Sequence, residues 1–265
     1  MTDTRGILHP QRAFEHFQLH RFPAGETLGP YVDRFWCVSW DLPPGESFEQ
    51  PVLAHPVVNV VVEPGRGAVY GPTSRLGRQH LSGAGWAVAA MFRPGAARPF
   101  LDAALREWVD RVVPIDRLGA AGAGLADRIS QVPGSSDEVD RSRADLLRSF
   151  MAGLAPSAVP ADVQDAVAAS ELIASDRTLC RVEDLVARTG IETRSLQRLF
   201  RECVGFPPKR VIRRYRLLEA AEAASEGRPV AWADVARSLG FSDQAHLTRD
   251  FTAAFGVSPA RYAGG

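Results

Sequence analysis

Residues 184–208 read DLVARTGIETRSLQRLFRECVGFPP, and residues 234–259 repeat the pattern as DVARSLGFSDQAHLTRDFTAAFGVSP. The glycine at 190 recurs 50 positions later as Gly240. Each copy has a short helix, a glycine turn and a second helix, which is the pattern of a helix-turn-helix unit. Glycine suits the turn because it adopts the left-handed conformation without Cβ strain. The sequence therefore predicts two helix-turn-helix units in the last third of the chain.

The second helix of each copy has an apolar face and a polar face. Leu196 and Phe200 lie on the apolar face of the first copy, and Leu247 and Phe251 lie on that of the second. Arginine and glutamine opposite them can form bidentate hydrogen bonds to guanine or adenine in a major groove. The residues predicted to contact DNA are Arg194, Gln197, Arg198 and Arg201 in the first copy and Gln244, Thr248 and Arg249 in the second. For a single arginine, a base contact, a phosphate contact and a surface ion pair all remain open.

Positive charge is concentrated at the start of this region. Between Arg194 and Arg216 there are eight basic residues and one acidic residue, Glu202. The whole chain has 31 basic and 31 acidic residues, which excludes a uniformly basic surface. A basic stripe on a neutral chain is typical of a single docking face for nucleic acid.

The helix predicted between the two units covers Pro208–Ser225. At 1.5 Å per residue it is roughly 27 Å long, which is near the separation of about 34 Å between major grooves one turn apart. A stiff spacer of this length would place both recognition helices on one side of the duplex. It also adds three residues to the predicted DNA-binding set, which are Arg210, Arg213 and Arg214.

The segment 165–263 resembles the DNA-binding domain of the AraC/XylS family of bacterial transcription regulators. The resemblance rests on R-x-L-x-R-x-F from Arg194, on R-L-x-x-A from Arg216, on GFSDQ from Gly240 and on G-x-S-P-x-x-Y from Gly256. It implies that the first recognition helix makes most base contacts and that the second makes more backbone contacts. Glu192 and Val211 depart from the family pattern, at a usual helix-capping position and a usual aromatic position.

The first part of the chain has a different character. Short apolar runs, among them FWCVSW (35–40), VVNVVVE (57–63) and WAVAAMF (86–92), alternate with Gly/Pro-rich breakers. This spacing predicts an antiparallel sandwich or barrel. Helical spacing follows in RPFLDAALREWVDRV (98–112) and again in SSDEVDRSRADLLRSFMAGL (135–154).

The segments LxxYVDRFW, VYGP and FRPGA resemble the β-rich sensor domain of an AraC-like subgroup, which implies a cupin-like fold that binds a small effector or dimerises. We therefore expect an α+β protein with three parts. Residues 1–155 form a β-rich, cupin-like sensor or dimerisation domain with trailing helices. Residues 156–160 form a linker, and residues 161–265 form an all-α domain with two helix-turn-helix units joined by a long helix.

Two features of the first part suggest partners. Five aromatic side chains on the predicted strands form either a sandwich core or the lining of an apolar effector pocket. They are Trp36, Trp40, Tyr70, Trp86 and Phe92. The apolar stripe from Leu146 to Leu154 either packs within the chain or forms a dimer helix. The expected partners are thus double-stranded DNA, a small-molecule effector, a second copy of the chain and, for an activator, RNA polymerase.

The sequence gives little support to an enzymatic function. The chain has no G-x-S-x-G, P-loop or G-x-G-x-x-G motif, and it lacks the clustered H-x-H of a cupin metal site. Cys37, Cys180 and Cys203 are far apart and suit reduced packing thiols better than nucleophiles or zinc ligands. We expect no catalytic residues, no metal and no cofactor. A cupin-type enzyme, an alkyltransferase fusion and an architectural DNA-binding protein remain the alternatives.

The N-terminal residues show no secretory signal, and no apolar run reaches 18 residues. The sequence therefore predicts a cytoplasmic protein without a membrane span.

Overall fold

The computed structural model describes residue 7 and residues 10–52, 55–225 and 230–263. The remaining positions of the predicted units 1–155 and 161–265 lie outside the described residues. After a short helix α1 (Pro10–Ala13), the first part of the chain is built from eight strands. These are β1 (Gln18–Pro23), β2 (Val32–Asp41), β3 (Ser47–Val52), β4 (Asn59–Glu63), β5 (Arg66–Tyr70), β6 (Gly77–Ser82), β7 (Ala84–Phe92) and β8 (Val112–Pro114).

Six of these strands form one antiparallel sheet in the order β1-β2-β7-β4-β5-β8, and β3 pairs with β6 in a separate two-stranded ribbon. The large sheet is open, so the expected cupin-like architecture takes the form of a sheet and a ribbon rather than a closed barrel. Alternation along β2 explains the layering. Phe35 and Cys37 are fully buried on one face, whereas Val38 and Trp40 on the other face pack towards the ribbon residues Leu81 and Phe48.

A long helix covers the buried face of the sheet. This helix, α4 (Asp137–Leu154), begins at the N-cap Ser136, whose hydroxyl accepts a hydrogen bond from the Val139 N–H at 3.4 Å. Its residues Leu147 and Met151 have no exposed surface and share one core with Phe35. The predicted helix at 135–154 is therefore confirmed. Its apolar stripe mainly packs within the chain, because only Leu146 and Leu154 of that stripe remain half-buried.

The expectation of a helix over residues 98–112 was wrong in extent. That segment contains a 3₁₀ turn at Arg98–Phe100, the single helical turn α2 (Leu105–Trp108) and then a left-handed residue, Asp110, with φ of 59°. Backbone hydrogen bonds to the preceding loop, such as Asp110 N–H to Pro72 O at 3.0 Å, replace the helical ladder. Between β8 and α4 lie two further 3₁₀ turns, Ile115–Leu118 and Ala120–Gly122, and α3 (Leu125–Ser130).

Beyond α4, the described residues are mainly helical. The helices are α5 (Ala161–Ser175), α6 (Val182–Thr189), α7 (Thr193–Cys203), α8 (Pro208–Ser225), α9 (Trp232–Ser238), α10 (Gln244–Phe255) and α11 (Pro259–Ala263). The predicted pair of helix-turn-helix units is thus present as α6–α7 and α9–α10. The turn glycines Gly190 and Gly240 have φ of 70° and 76°, the left-handed conformation that the sequence predicted for them.

Each unit has its own apolar core, and α8 belongs to both. Val211 and Tyr215, from its first half, pack with Leu196 and Phe200 of α7. Leu217 and Ala221, from its second half, pack with α10 and α11 side chains, including Phe251. Because α8 supplies side chains to both cores, it acts as a common spacer between the two units.

Candidate nucleic-acid interface

The first recognition helix, α7, presents its predicted DNA-contact residues to solvent. Leu196, Phe200 and Cys203 are buried with at most 1% exposure, which anchors one face of the helix. The opposite face carries exposed side chains, which are Arg194, Gln197, Arg198 and Arg201. Glu192 is the N-cap residue, and its side chain makes no capping hydrogen bond. The first N–H groups of α7 therefore have no side-chain cap, and uncapped N–H groups attract anions.

The second recognition helix, α10, has the same division. Leu247, Phe251 and Phe255 are buried, while Gln244 and Arg249 are exposed and Thr248 is half-buried. At its N-terminus the carboxylate of Asp243 accepts the His246 N–H at 2.7 Å. This hydrogen bond is the largest cause that lowers the pKa of Asp243 below its usual value. The carboxylate cap therefore fixes the start of the helix that carries Gln244 and Thr248.

The spacer arginines, in contrast, have partners within the protein. The Arg213 guanidinium forms an ion pair with Asp250 of α10 and lies 3.1 Å from Nε2 of His246. Arg214 donates to the carbonyl of Thr73 at 2.9 Å, and Arg210 donates to the carbonyl of Ser74 at 3.4 Å. These three arginines were predicted to contact DNA, and in this structure each is engaged elsewhere.

Burial lowers the pKa of two of these guanidinium groups. Desolvation, with the nearby charge of Arg210, lowers the pKa of Arg214 to about 10. Desolvation and the charge of Arg249 lower the pKa of Arg213. Arg214 still carries its charge at neutral pH, because about 10 remains well above 7.

Arg216, within the same basic stripe, is structural. It is 1% exposed and donates to the main-chain carbonyls of Ile173 and, at 3.0 Å, Asp176 at the end of α5. Its role is to fasten α8 to α5, since a buried guanidinium needs several acceptors to offset its lost hydration. Sequence reasoning counted Arg216 only as part of the positive stripe and missed this role.

Both parts of the chain match known protein families. Residues 185–264 match the family described as a helix-turn-helix domain, and residues 20–114 match a domain of unknown function (DUF6597). The chain is 33% identical over 82 residues to the probable transcription factor PqrA of Proteus vulgaris, covering 31% of this chain and 66% of that protein. It is 35% identical over 81 residues to the putative HTH-type transcriptional regulator YkgA of Escherichia coli K12, covering 31% of this chain and 34% of that protein. The chain therefore spans less than two thirds of the length of these two relatives.

A solved structure gives a fuller match. A probable AraC family transcriptional regulator from Rhodopseudomonas palustris is 31% identical, and the match covers 36% of this chain and 91% of that chain, with a TM-score of 0.33. The chain belongs to the AraC family of transcription regulators. This confirms the resemblance that the motifs of residues 165–263 indicated.

In this AraC-family chain the five aromatic residues predicted to line an effector pocket do not come together. Residues that pair across adjacent strands lie on the same face of the sheet, and successive residues along one strand alternate between the two faces. Trp36, Trp40 and Tyr70 lie on the face towards the ribbon, and the Trp36 indole N–H donates to Asn59 Oδ1 at 3.4 Å. Trp86 and Phe92 lie on the opposite face, where they pack into the core beneath α4.

Two of the three cysteines of the AraC-family chain are buried packing residues. Cys37 and Cys203 are at most 1% exposed, and desolvation raises the pKa of both thiols, that of Cys203 to about 12. Cys180 is partly exposed, and its pKa is also raised by desolvation. Raised pKa values leave little thiolate at neutral pH, which is unfavourable for a nucleophile. Within the described residues, no group of three or more His, Cys, Asp or Glu side chains is arranged to hold a metal ion.

No helix in the described part of the chain combines the length and the apolar character that crossing a bilayer demands.

Proposed function

We propose that the protein is a sequence-specific, DNA-binding transcription regulator that reads two adjacent major grooves. One observation carries the proposal. The two recognition helices each bury one face in a core and leave an Arg/Gln-bearing face open to solvent, although the N-terminal domain is packed against the same helical region. An exposed arginine and glutamine face on an anchored helix is the arrangement that major-groove readout requires.

The two helices have different roles in this proposal. Arg194, Gln197 and Arg198 of α7 contact base edges, and Arg201, with the uncapped N–H groups of α7, contacts phosphate. On α10, Gln244, Thr248 and Arg249 add base and backbone contacts. That Arg210, Arg213 and Arg214 contact phosphate stays a prediction, because such contacts require them to exchange their present protein partners.

We also propose the domain division 1–155, 156–160 and 161–265. The apolar cores of the two helix-turn-helix units consist of residues beyond 161, apart from packing by Val109 and Leu76. The proposed linker, 156–160, is held at the sheet, since the Tyr31 hydroxyl donates to Ala158 O at 3.2 Å. Val163 of α5 belongs to the core of the sheet domain, so the two domains share a packed boundary.

We also propose that the regulator responds to a small-molecule effector. Trp36 and Tyr70 flank the amide of Asn59 on the ribbon-side face of the sheet, which offers aromatic surface beside a hydrogen-bonding group. We therefore place the effector on this face, and Trp86 and Phe92 serve the core instead. Homodimerisation, contact with RNA polymerase and a cytoplasmic location remain parts of the proposal, and a binding mechanism without catalysis follows from its regulator function.

Selection of bound duplexes from a random DNA library tests the proposal. The full chain should enrich a motif with two boxes whose centres lie about 10 base pairs apart, one helical turn. Substituting Arg198 should erase information in one box, and substituting Arg249 should affect the other. Recovery of no motif, or of a single box unaffected by either substitution, would contradict two-groove readout.

A further inference from the structure

One part of the N-terminal domain contacts both helix-turn-helix units and the helix between them. It consists of the loop 71–76, between β5 and β6, and the segment 105–111, which contains α2. We call these two segments together the brace. Its contacts differ from those of a flexible tether, because they involve specific hydrogen bonds and close packing on each side.

The segment 105–111 contacts the first unit. Gly205, which follows α7, approaches so closely that a Cβ placed there would lie 3.0 Å from the Leu105 carbonyl oxygen and 3.1 Å from Val109 Cγ2. Val109 packs against the core of that unit, and the Arg106 guanidinium forms an ion pair with Glu202 of α7. The end of the first recognition helix is therefore in direct contact with the brace.

The loop 71–76 contacts the spacer and the second unit. The carbonyl oxygens of Thr73 and Ser74 accept hydrogen bonds from Arg214 and Arg210 of α8. Leu76 packs against the core that holds Leu247 and Phe251 of α10. One short loop thus contacts two elements whose mutual placement sets the position of the second recognition helix.

Asp110 joins the two segments of the brace. Its carboxylate accepts the Ser74 N–H at 2.6 Å, the Ser74 hydroxyl at 2.6 Å and the Thr73 hydroxyl at 3.3 Å. Its own N–H donates to Pro72 O, and Gly71 N–H donates to Arg111 O at 2.9 Å. No other non-glycine residue in the described ranges has a positive φ. A strained backbone of this kind persists only where surrounding contacts hold it.

We infer that Asp110 is a positioning residue through which the N-terminal domain fixes the orientation of one recognition helix relative to the other. The inference rests on the proposed function, since it concerns how the two helices meet DNA. With the carboxylate in place, the two segments move as one body, and a rotation between the units must break contacts on one side of the brace. Without it, the segments separate, and the units become free to adopt other relative orientations.

The first test measures how DNA affinity depends on the distance between the two boxes. Asp110→Gly removes the carboxylate and suits the positive φ, so it deletes the hydrogen bonds without adding backbone strain. For full-length protein, the affinity ratio between the best-spaced site and a site lengthened by two base pairs should fall by about tenfold, a typical size for coupling between sites. Asp110→Asn, which tolerates this backbone and keeps one acceptor oxygen, should restore much of the ratio.

A control variant separates a positioning role from a general loss of stability. Asp145→Ala removes an exposed carboxylate that pairs with Arg148 on α4, away from the brace. It should leave the spacing ratio unchanged. An unchanged ratio in Asp110→Gly, or an equal fall in Asp145→Ala, would overturn the inference. Should Asp110→Gly fail to fold, Ser74→Ala replaces it, with a smaller fall in the ratio expected and an unchanged ratio again contrary to the inference.

A DNA-free measurement keeps the two hypotheses distinct. Spin labels on the exposed sites Ala187 of α6 and Ala253 of α10, in a Cys180→Ser background, report the distance between the units. The distance distribution should be narrow for the parent protein and clearly broader after Asp110→Gly. Broadening without any specific DNA binding would refute the proposed function alone, whereas unchanged distributions together with specific DNA binding would refute the inference alone.

Discussion

The turn glycines of the two units offer a matched pair of substitutions. Gly190 and Gly240 occupy equivalent places in the repeat and have nearly the same φ, 70° and 76°. A Cβ at Gly190 meets nothing within 4 Å, whereas a Cβ at Gly240 would lie 2.4 Å from Cys180 Cβ and 2.9 Å from its Sγ. Cys180 immediately precedes the first unit, so the turn of the second unit lies against the segment that leads into the first.

The magnitudes follow from these two environments. Gly190→Ala should lower the free energy of unfolding by about 1–2 kcal/mol, the cost of a left-handed alanine. Gly240→Ala carries the same cost and adds an overlap that forces main-chain movement, about 1–3 kcal/mol more by analogy with overpacked cores. The difference between the two variants is the sharper quantity, because the backbone cost and the entropy lost from the unfolded chain are common to both.

Urea unfolding followed by circular dichroism measures both variants. The excess loss at Gly240→Ala should shrink when Cys180→Gly removes the opposing Cβ, and a double-mutant cycle isolates that coupling. Equal losses at the two glycines would refute the reasoning. So would an excess that persists undiminished in the Cys180→Gly background.

Three further outcomes are expected. The hydrogen bond from the His246 N–H lowers the pKa of Asp243, the cap of α10. The contribution of this cap to stability is therefore complete above the ordinary Asp value near 3.8 and is lost as the pH falls through the lower folded value. NMR titration of the carboxyl should show this lowered value, and Asp243→Asn should remove that part of the acid dependence. Since Cys37 and Cys203 are buried and Cys180 is partly exposed, a thiol reagent should modify Cys180 alone in the folded protein, and a fast phase that survives Cys180→Ser would contradict this. Leu147→Ala, at a fully buried site under the sheet, should cost about 2–5 kcal/mol of unfolding free energy, and the half-buried Leu146→Ala clearly less; equal losses in denaturation experiments would speak against α4 as the core helix.

The helical region was well predicted because the apolar residues that recur at helical spacing in its sequence are the residues that form its cores. The helix α8 begins and ends at the predicted residues, Pro208 and Ser225. The short α11 (Pro259–Ala263) was missed, and five residues offer too little periodicity to identify a helix. Strands with strong apolar alternation, such as β2 and β7, were also found.

The ribbon strands were not predicted, for a physical reason. β3 and β6 have the sequences SFEQPV and GRQHLS, and most of their side chains are exposed or half-buried. Such strands lack the apolar pattern that would identify them. The segment 98–112 shows the reverse case. Helical spacing was present, but the hydrogen bonds that the Asp110 carboxylate accepts from Thr73 and Ser74, in a distant loop, hold its backbone in another conformation.

For the candidate site, the sequence identified which residues face outward on the recognition helices, because helical periodicity alone fixes that. It could not reveal the partners of Arg210, Arg213 and Arg214. Those partners depend on where Thr73, Ser74 and Asp250 lie after folding. The same limit applies to the aromatic residues, whose division between two sheet faces follows from strand pairing.

The most direct test of DNA readout compares Arg198→Ala with Arg237→Ala on the selected site and on random duplex. Both arginines are exposed, but Arg237 lies on α9, outside the proposed readout face, where it pairs with Asp234 at 2.9 Å. Arg198→Ala should weaken binding to the selected site by about 1–3 kcal/mol and make one base position indifferent, with little change on random DNA. Arg237→Ala should bind both duplexes as the parent does. Equal weakening of Arg198→Ala on the selected site and on random DNA would contradict base readout by α7.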